Sequence, residues 1–136
     1  MKSYQILPHV ADIRLKVEAD NLTELFMAAI EGMMTIIKES KAEEQEREKR
    51  IIEVESADAT SLLIDFMNDI LYQSHTNKEV YTEVNFLEFS EKALKAEIYG
   101  IKVDNFDEDI KAVTYHEAEI KKNEKGNFET VIVFDI

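Results

Sequence analysis

Two segments of the chain place apolar residues on a single helical stripe, and each stripe needs another surface to cover it. The first begins after Asn21, whose side chain can cap a helix, with Glu24 three residues later as the capping-box partner. The second begins after Asp58 and is expected to end near residues 74–77. The stripes comprise Leu22, Leu25, Phe26, Ala29, Met33, Ile36 and Ile37 in the first helix and Leu62, Leu63, Phe66, Met67, Ile70 and Leu71 in the second.

Most of the remaining segments have the patterns of β-strands. Residues 12–18 are apolar at every second position, which is typical of a strand with one wet face. Glu79–Phe89 is predicted as one long strand or two, because the alternation changes phase near Phe86 and a bulge would produce this. Residues 39–50 carry no apolar stripe and are expected to form a solvated loop or a helix extension. Further strands are predicted at 3–7, 51–55, 92–100, 110–120 and Phe128–Asp135, the last two joined by a turn at 121–126.

This order of elements predicts an α+β fold, because an antiparallel sheet with one apolar face can cover both helices. We expect a two-layer sandwich in which the two helices pack on one face of a largely antiparallel sheet. A chain of 136 residues can bury its own core. Residues 1–136 contain no repeat or low-complexity linker, so a single domain is predicted.

Composition narrows the class of protein. Hydrophobic residues make up 45% and charged residues 33% of the chain, as in ordinary soluble proteins. The chain has no cysteine, which excludes disulfides and thiolate metal sites. It shows no signal-peptide pattern, and no apolar segment approaches the roughly 18 residues that a membrane-spanning helix needs. A soluble cytoplasmic protein is therefore expected.

The formal charge of −13 limits the partners that the chain can bind. Affinity for nucleic acid rests mainly on lysine and arginine at the phosphates, so RNA and DNA are repelled by most of this surface. The charge favours docking on a basic protein or binding of a cation. The alternative is that the acidity only keeps the protein soluble.

Acidic groups are expected to meet at one end of the sheet. Asp12 opens one predicted strand, and Asp135 closes the last one beside the α-carboxylate of Ile136. If the two strand ends are neighbours, three carboxylates converge, and they repel one another unless a cation neutralises them. Oxygen ligands suit a hard cation such as Ca²⁺, Mg²⁺ or Mn²⁺. The alternative is that these carboxylates are simply solvated.

Four further residues are functional candidates. His9 lies beside the predicted acidic site and could be a ligand, a donor to a ligand or an anchor of the loop. His116 shares a face of the predicted strand 110–120 with apolar residues, which favours a half-buried histidine that faces the helices. Lys111 and Tyr115 lie on the opposite face, where Lys111 could hold an anion, pair with a carboxylate or extend to solvent.

Sequence motifs of the common enzyme classes are absent. The chain has three glycines, no Gly-rich phosphate loop, no HExxH and no GxSxG. The acidic loop around Asp104 and Asp107 lacks the central glycine and the closing glutamate of an EF-hand. No catalytic residue is therefore predicted.

Three segments resemble the archease family. They are residues 9–13 (HVADI), 111–116 (KAVTYH) and 131–136 (VIVFDI), in the order that is typical of that family. Residues 62–72 (LLIDFMNDILY) also look like the second helix of an archease. The similarity extends over essentially the whole chain.

The resemblance implies a protein cofactor rather than an enzyme. Archeases are associated with the RtcB-type RNA ligase of tRNA splicing and RNA repair, and they promote its guanylylation and its repeated turnover. Carried over to matching positions, the metal site of the family implies Asp12, Asp135 and the carboxylate of Ile136 as ligands. Ca²⁺ is the first expectation, with Mg²⁺ and Mn²⁺ as alternatives. Lys111 is the next functional residue, at a contact with the ligase or with a phosphate.

Two other functions remain open at this point. The first is a stand-alone metal-dependent hydrolase that uses Asp12 and Asp135, which the lack of a nucleophile and base pair disfavours. The second is a chaperone-like or RNA-binding module, which the charge of −13 disfavours.

Overall fold

The computed structural model describes residues 1–7, 12–38 and 46–136, which contain two helices and eight strands in two antiparallel sheets. The first sheet has the strand order β1-β2-β8-β6, with β7 also paired to β8, and the second has the order β3-β5-β4. The α+β class is confirmed, although the strands form two sheets rather than one. The elements are β1 (Lys2–Leu7), β2 (Ile13–Ala19), α1 (Leu22–Ile37), β3 (Glu48–Glu55), α2 (Ala59–Asn77), β4 (Glu79–Phe89), β5 (Ala93–Lys102), β6 (Ala112–Thr114), β7 (Lys121–Lys122) and β8 (Phe128–Asp135).

The predicted N-caps are present in both helices, although the carboxylate of Glu24 accepts from the Met1 ammonium group at 3.3 Å rather than completing the predicted capping box. The side chain of Asn21 accepts a hydrogen bond from the backbone N–H of Glu24 at 2.9 Å, and that of Asp58 accepts one from Ser61 at 2.8 Å. Each bond satisfies one of the backbone donors that a helix start leaves free. Neither helix in the described residues is long and apolar enough to cross a membrane.

The first sheet has one apolar and one polar face, as the alternation in β2 predicts. Leu15 and Val17 are fully buried, whereas Lys16 between them is exposed. Leu15 lies opposite Ile132 of β8, which is also fully buried. Helix α1 contacts β1, β2 and β8 and covers this apolar face.

A bulge in β4 joins the second sheet to both helices. In a regular strand Phe86 and Phe89 would point to opposite faces, but the register shifts between Phe86 and Glu88. Leu87 is 47% exposed as a result, and both phenylalanines pack against Phe26 of α1, at 6.5 and 5.0 Å between ring centroids. The predicted break of alternation near Phe86 is therefore confirmed.

The segment 110–120 is not one strand as predicted, because only Ala112–Thr114 pairs with β8. Val113 is 3% exposed and faces the core, so the predicted assignment of faces was wrong. The apolar residues Ile110 and Val113 are three apart, a spacing that a regular strand cannot bury on one face. Strand β3 begins at Glu48, earlier than predicted, and residues 39–45 lie outside the described residues.

A buried glutamate links β3, β4 and the end of α2. Glu79 is fully buried, and its two oxygens accept hydrogen bonds from Arg50 at 3.1 and 3.0 Å. The hydroxyl of Tyr81 donates a third bond to Glu79 at 2.8 Å, and Ser74 of α2 donates to the backbone carbonyl of Glu79. Burial alone would raise the pKa of Glu79, but the bonds from Arg50 and Tyr81 outweigh it and lower this pKa.

We predict that Gly32→Ala destabilises the protein because α1 lies directly against β2 at this point. A Cβ atom on Gly32 would lie 2.6 Å from Cδ2 of the fully buried Leu15. Overpacking of this kind costs about 1–3 kcal/mol, against a gain of up to about 1 kcal/mol in helix propensity. Urea unfolding measures the net loss.

A double-mutant cycle is the control for this prediction. In a Leu15→Ala background the clash is absent, so Gly32→Ala should be neutral or stabilising there. Equal costs of Gly32→Ala in both backgrounds would contradict the packing argument.

We also predict that Tyr81 contributes a component of stability that alkaline pH removes. Burial raises the pKa of Tyr81 to about 12, from 10.0, so the folded chain keeps the phenol neutral at a pH where the unfolded chain ionises. This contribution is complete below pH 10 and is lost as the pH rises towards 12. In Tyr81→Phe the free energy of unfolding should therefore fall less steeply over this range.

The measurement is denaturant unfolding at a series of pH values. Tyr72→Phe is the matched control, because it removes the same hydroxyl group from a side chain that is 63% exposed. Parallel curves for the wild type and Tyr81→Phe would contradict the assignment.

Candidate functional site

Two acidic residues lie at the same end of neighbouring strands. The register of β2 and β8 pairs Ile13 with Phe134, and one step beyond this pair lie Asp12 and Asp135. Asp12 is half-buried and Asp135 is exposed. No ion pair within residues 1–7, 12–38 and 46–136 involves either carboxylate. The start of β2 and the end of β8 are therefore neighbours, as the predicted acidic site requires.

The backbone of the segment that leads into β6 holds Asp135 on its other side. The N–H of Lys111 donates to the carbonyl of Asp135 at 2.8 Å, and Ala112 is the register partner of Asp135. The Lys111 side chain is exposed. The predicted lysine thus lies just before β6, beside the backbone of the predicted acidic ligand. Ile136 follows β8 and is 39% exposed.

An arginine on the outer face of β2 is already paired. Arg14 lies opposite Val133 of β8, and its Nη2 donates to Oε1 of Glu117 at 2.6 Å. Glu117 has a backbone φ of 63°, in the left-handed region that a non-glycine residue rarely adopts. The bridge crosses the face of β8 and fixes the turn after β6.

Helix α2 holds β6 from the edge of the sheet. Asn68 Nδ2 donates to the carbonyl of Val113 at 2.8 Å, and the N–H of Val113 donates to Asn68 Oδ1 at 2.9 Å. The hydroxyl of Tyr115 donates to Asp65, and this bond, with burial, raises the pKa of Tyr115. Sequence reasoning missed Asn68 and Asp65. The available signal was polar residues within the mainly apolar stretch 62–71 of α2, where such side chains are unfavourable unless they have a partner.

The remaining predicted residues divide into three outcomes. His9 lies outside the described residues. Tyr115 is 55% exposed, at the edge of α2. The prediction for His116 was wrong, because it is exposed in the turn after β6 rather than half-buried against the helices. The strand ends at Thr114, and the Thr114 side chain accepts a hydrogen bond from the N–H of His116 at 3.2 Å, which turns the chain away.

The donors available for a cation are few. Among the described residues, no three or more histidine, cysteine, aspartate or glutamate side chains lie close enough together to hold a metal ion. The predicted site has two such side chains, Asp12 and Asp135, and its third ligand is the carboxylate of Ile136. The metal assignment therefore stays a prediction.

Comparison with known proteins finds relatives that match nearly the whole chain. Residues 4–136 match the model of the Archease protein family (MTH1598/TM1083). Protein archease of Pyrococcus abyssi is 35% identical over 144 residues, which cover 100% of both chains. Protein archease of Methanosarcina mazei is 30% identical over 99% of this chain and 97% of its own length.

Two solved structures share the fold. The solution structure of protein 1598 from Methanobacterium thermoautotrophicum has a TM-score of 0.72 at 21% identity and covers 98% of each chain. The crystal structure of an archease from Thermotoga maritima, described as a possible chaperone, has a TM-score of 0.68 at 18% identity. It covers 96% of this chain and 94% of its own.

Proposed function

This chain belongs to the archease family, and from that premise we propose that it is a protein cofactor of an RtcB-type RNA ligase. In this role it promotes guanylylation of the ligase and its repeated turnover in tRNA splicing and RNA repair. It is not itself an enzyme, and RNA reaches it only through the ligase.

The observation that carries the proposal is the register of β2 and β8. The last pair in this register is Ile13 and Phe134. Asp12 comes directly before Ile13 and Asp135 directly after Phe134, so the two aspartates lie at the same end of the two strands. These are the two positions that the resemblance to archeases implies as metal ligands. Lys111, on the far side of Asp135, adds an exposed ammonium group that can contact a phosphate or an acidic group of the ligase.

The donor chemistry of this sheet end fits a hard cation. Asp12, Asp135 and the carboxylate of Ile136 would hold it through oxygen alone, which suits Ca²⁺ first and Mg²⁺ or Mn²⁺ as alternatives. When bound, the cation would supply positive charge to phosphate oxygens. The chain's own residues supply the rest, since the backbone bond from Lys111 to Asp135 fixes the end of β8.

Charge supports docking on a protein rather than on RNA. At a net charge of −13 the chain repels phosphate backbones over most of its surface. A ligase that binds RNA needs a basic groove, and an acidic cofactor is complementary to such a surface.

A chaperone-like role is the second candidate, and the description of the Thermotoga maritima archease favours it. A chaperone would protect the ligase from aggregation at stoichiometric amounts. A cofactor of turnover acts at amounts well below those of the ligase. A stand-alone hydrolase would act without any ligase. Titration of the isolated protein into a ligase assay separates the three.

We predict that Asp135→Asn lowers the stimulation of ligase turnover at least about ten-fold, because it removes one of the three carboxylates from the proposed site. Asp12→Asn should have a similar effect. Calorimetry with Ca²⁺ on the isolated variants should give a correspondingly larger Kd. Circular dichroism should be unchanged for Asp135→Asn, since this side chain is exposed.

Asp104→Asn is the matched control, because Asp104 is an exposed aspartate in the loop after β5 and outside the proposed site. It should stimulate the ligase like the wild type. A few residues appended after Ile136 test the contribution of its carboxylate. Normal stimulation by Asp12→Asn and Asp135→Asn would refute the site.

A further inference from the structure

Strand β6 is a three-residue edge strand, and among the described residues no other strand pairs with it on the side away from β8. Buried or half-buried N–H and C=O groups need hydrogen-bond partners, and a short edge strand without them frays. Val113 is 3% exposed, so water has little access to hydrogen-bond with its backbone N–H and C=O groups. Another part of the fold has to satisfy these groups.

Asn68 supplies both missing partners from helix α2. Its carboxamide donates to the carbonyl of Val113 at 2.8 Å and accepts from the N–H of the same residue at 2.9 Å. A neighbouring strand would offer one residue the same pair of bonds. The side chain of Asn68 therefore completes the sheet edge in place of a strand.

Two further polar side chains of α2 hold the chain that continues from β6. Asp65 accepts from the hydroxyl of Tyr115, and Oγ1 of Thr60 accepts from the N–H of Ile120 at 3.0 Å. Helix α2 and the bound segment are antiparallel, because residues later in the segment contact residues earlier in the helix. Helix α2 thus lies along the edge of the first sheet, with Asn68 nearest to the acidic site.

We infer that Asn68 is a positioning residue for the site at Asp12 and Asp135. It acts through β6: Asn68 fixes Val113, and the residues just before Val113 make the backbone contacts with Asp135. Without Asn68, Val113 loses both hydrogen bonds on the outer side of β6, and the end of β8 loses a fixed neighbour. This inference rests on the proposed function, because it gives Asn68 a role in that same site.

Hydrogen exchange tests the structural half of the inference. In Asn68→Ala the amide of Val113 should exchange at least about ten-fold faster than in the wild type. Asn68→Asp keeps an acceptor for this amide but places a carboxylate against the carbonyl of Val113, so its effect on the amide should be smaller. Asn85→Ala is the matched control, since Asn85 is an exposed asparagine whose side chain bonds to Glu97 in the second sheet. Unchanged exchange at Val113 in Asn68→Ala would overturn the inference.

Calorimetry with Ca²⁺ tests the positioning half. Asn68→Ala should raise the Kd for Ca²⁺ at least about five-fold while the stoichiometry stays at the wild-type value, because the ligands remain but are less well held. Ile52→Val is a second control, because it loosens the core at β3 without touching β6. If a general loss of stability weakens binding, the Kd for Ca²⁺ should rise in both variants. If Asn68 positions the site, the Kd should rise only in Asn68→Ala.

The outcomes separate this inference from the proposed function. Faster exchange at Val113 with an unchanged Kd would overturn the positioning role alone. A wild-type protein that neither binds Ca²⁺ nor stimulates the ligase would overturn the proposed function and, with it, the positioning role. Faster exchange with a larger Kd in Asn68→Ala supports the inference.

Discussion

Strand β8 is the constraint on which the rest of the first sheet depends. It pairs with β2 on one side and with β6 and β7 on the other, so three strands take their register from it. Its inward residues Ile132 and Phe134 are fully buried against the core. A slip of one residue would turn these side chains outward, so burial fixes the register strongly. The same register sets which residue lies opposite the end of β2, and the position of Asp135 follows from the packing of Phe134.

Helix α2 connects this sheet to the second one by two kinds of contact. Its apolar side is anchored by Phe66, whose ring lies 6.2 Å from that of Phe26 and 5.7 Å from that of Phe86. Its polar residues Asp65 and Asn68 bind the segment that starts at β6. Apolar burial supplies most of the stability but is non-directional, so it does not fix which atoms of α2 and β6 meet. The hydrogen bonds of Asn68 fix this alignment, because each requires a particular donor and acceptor.

The sequence predicts the features that depend on local pattern and misses those that depend on distant partners. The caps at Asn21 and Asp58 and the bulge near Phe86 follow from neighbouring residues, and the structure contains them. The division into two sheets and the short β6 depend on which strands meet, which alternation does not encode. His116 was misplaced because a periodic pattern was extended past the end of β6. Asn68 was missed because its partner, Val113, is 45 residues away in the chain.

The electrostatics of the acidic site follow from this arrangement. Like charges next to each other on neighbouring strands are destabilising, and Asp12 and Asp135 are brought together by a register that the core determines. The nearest paired arginine on that face, Arg14, is already engaged with Glu117 at 2.6 Å. Compensation therefore has to come from Lys111, from solvent or from a bound cation. A chain with 29 acidic and 16 basic residues has little other positive charge to spare. This shortage is consistent with the proposed binding of a cation or of a basic partner surface, and either would add stability at this end of β8.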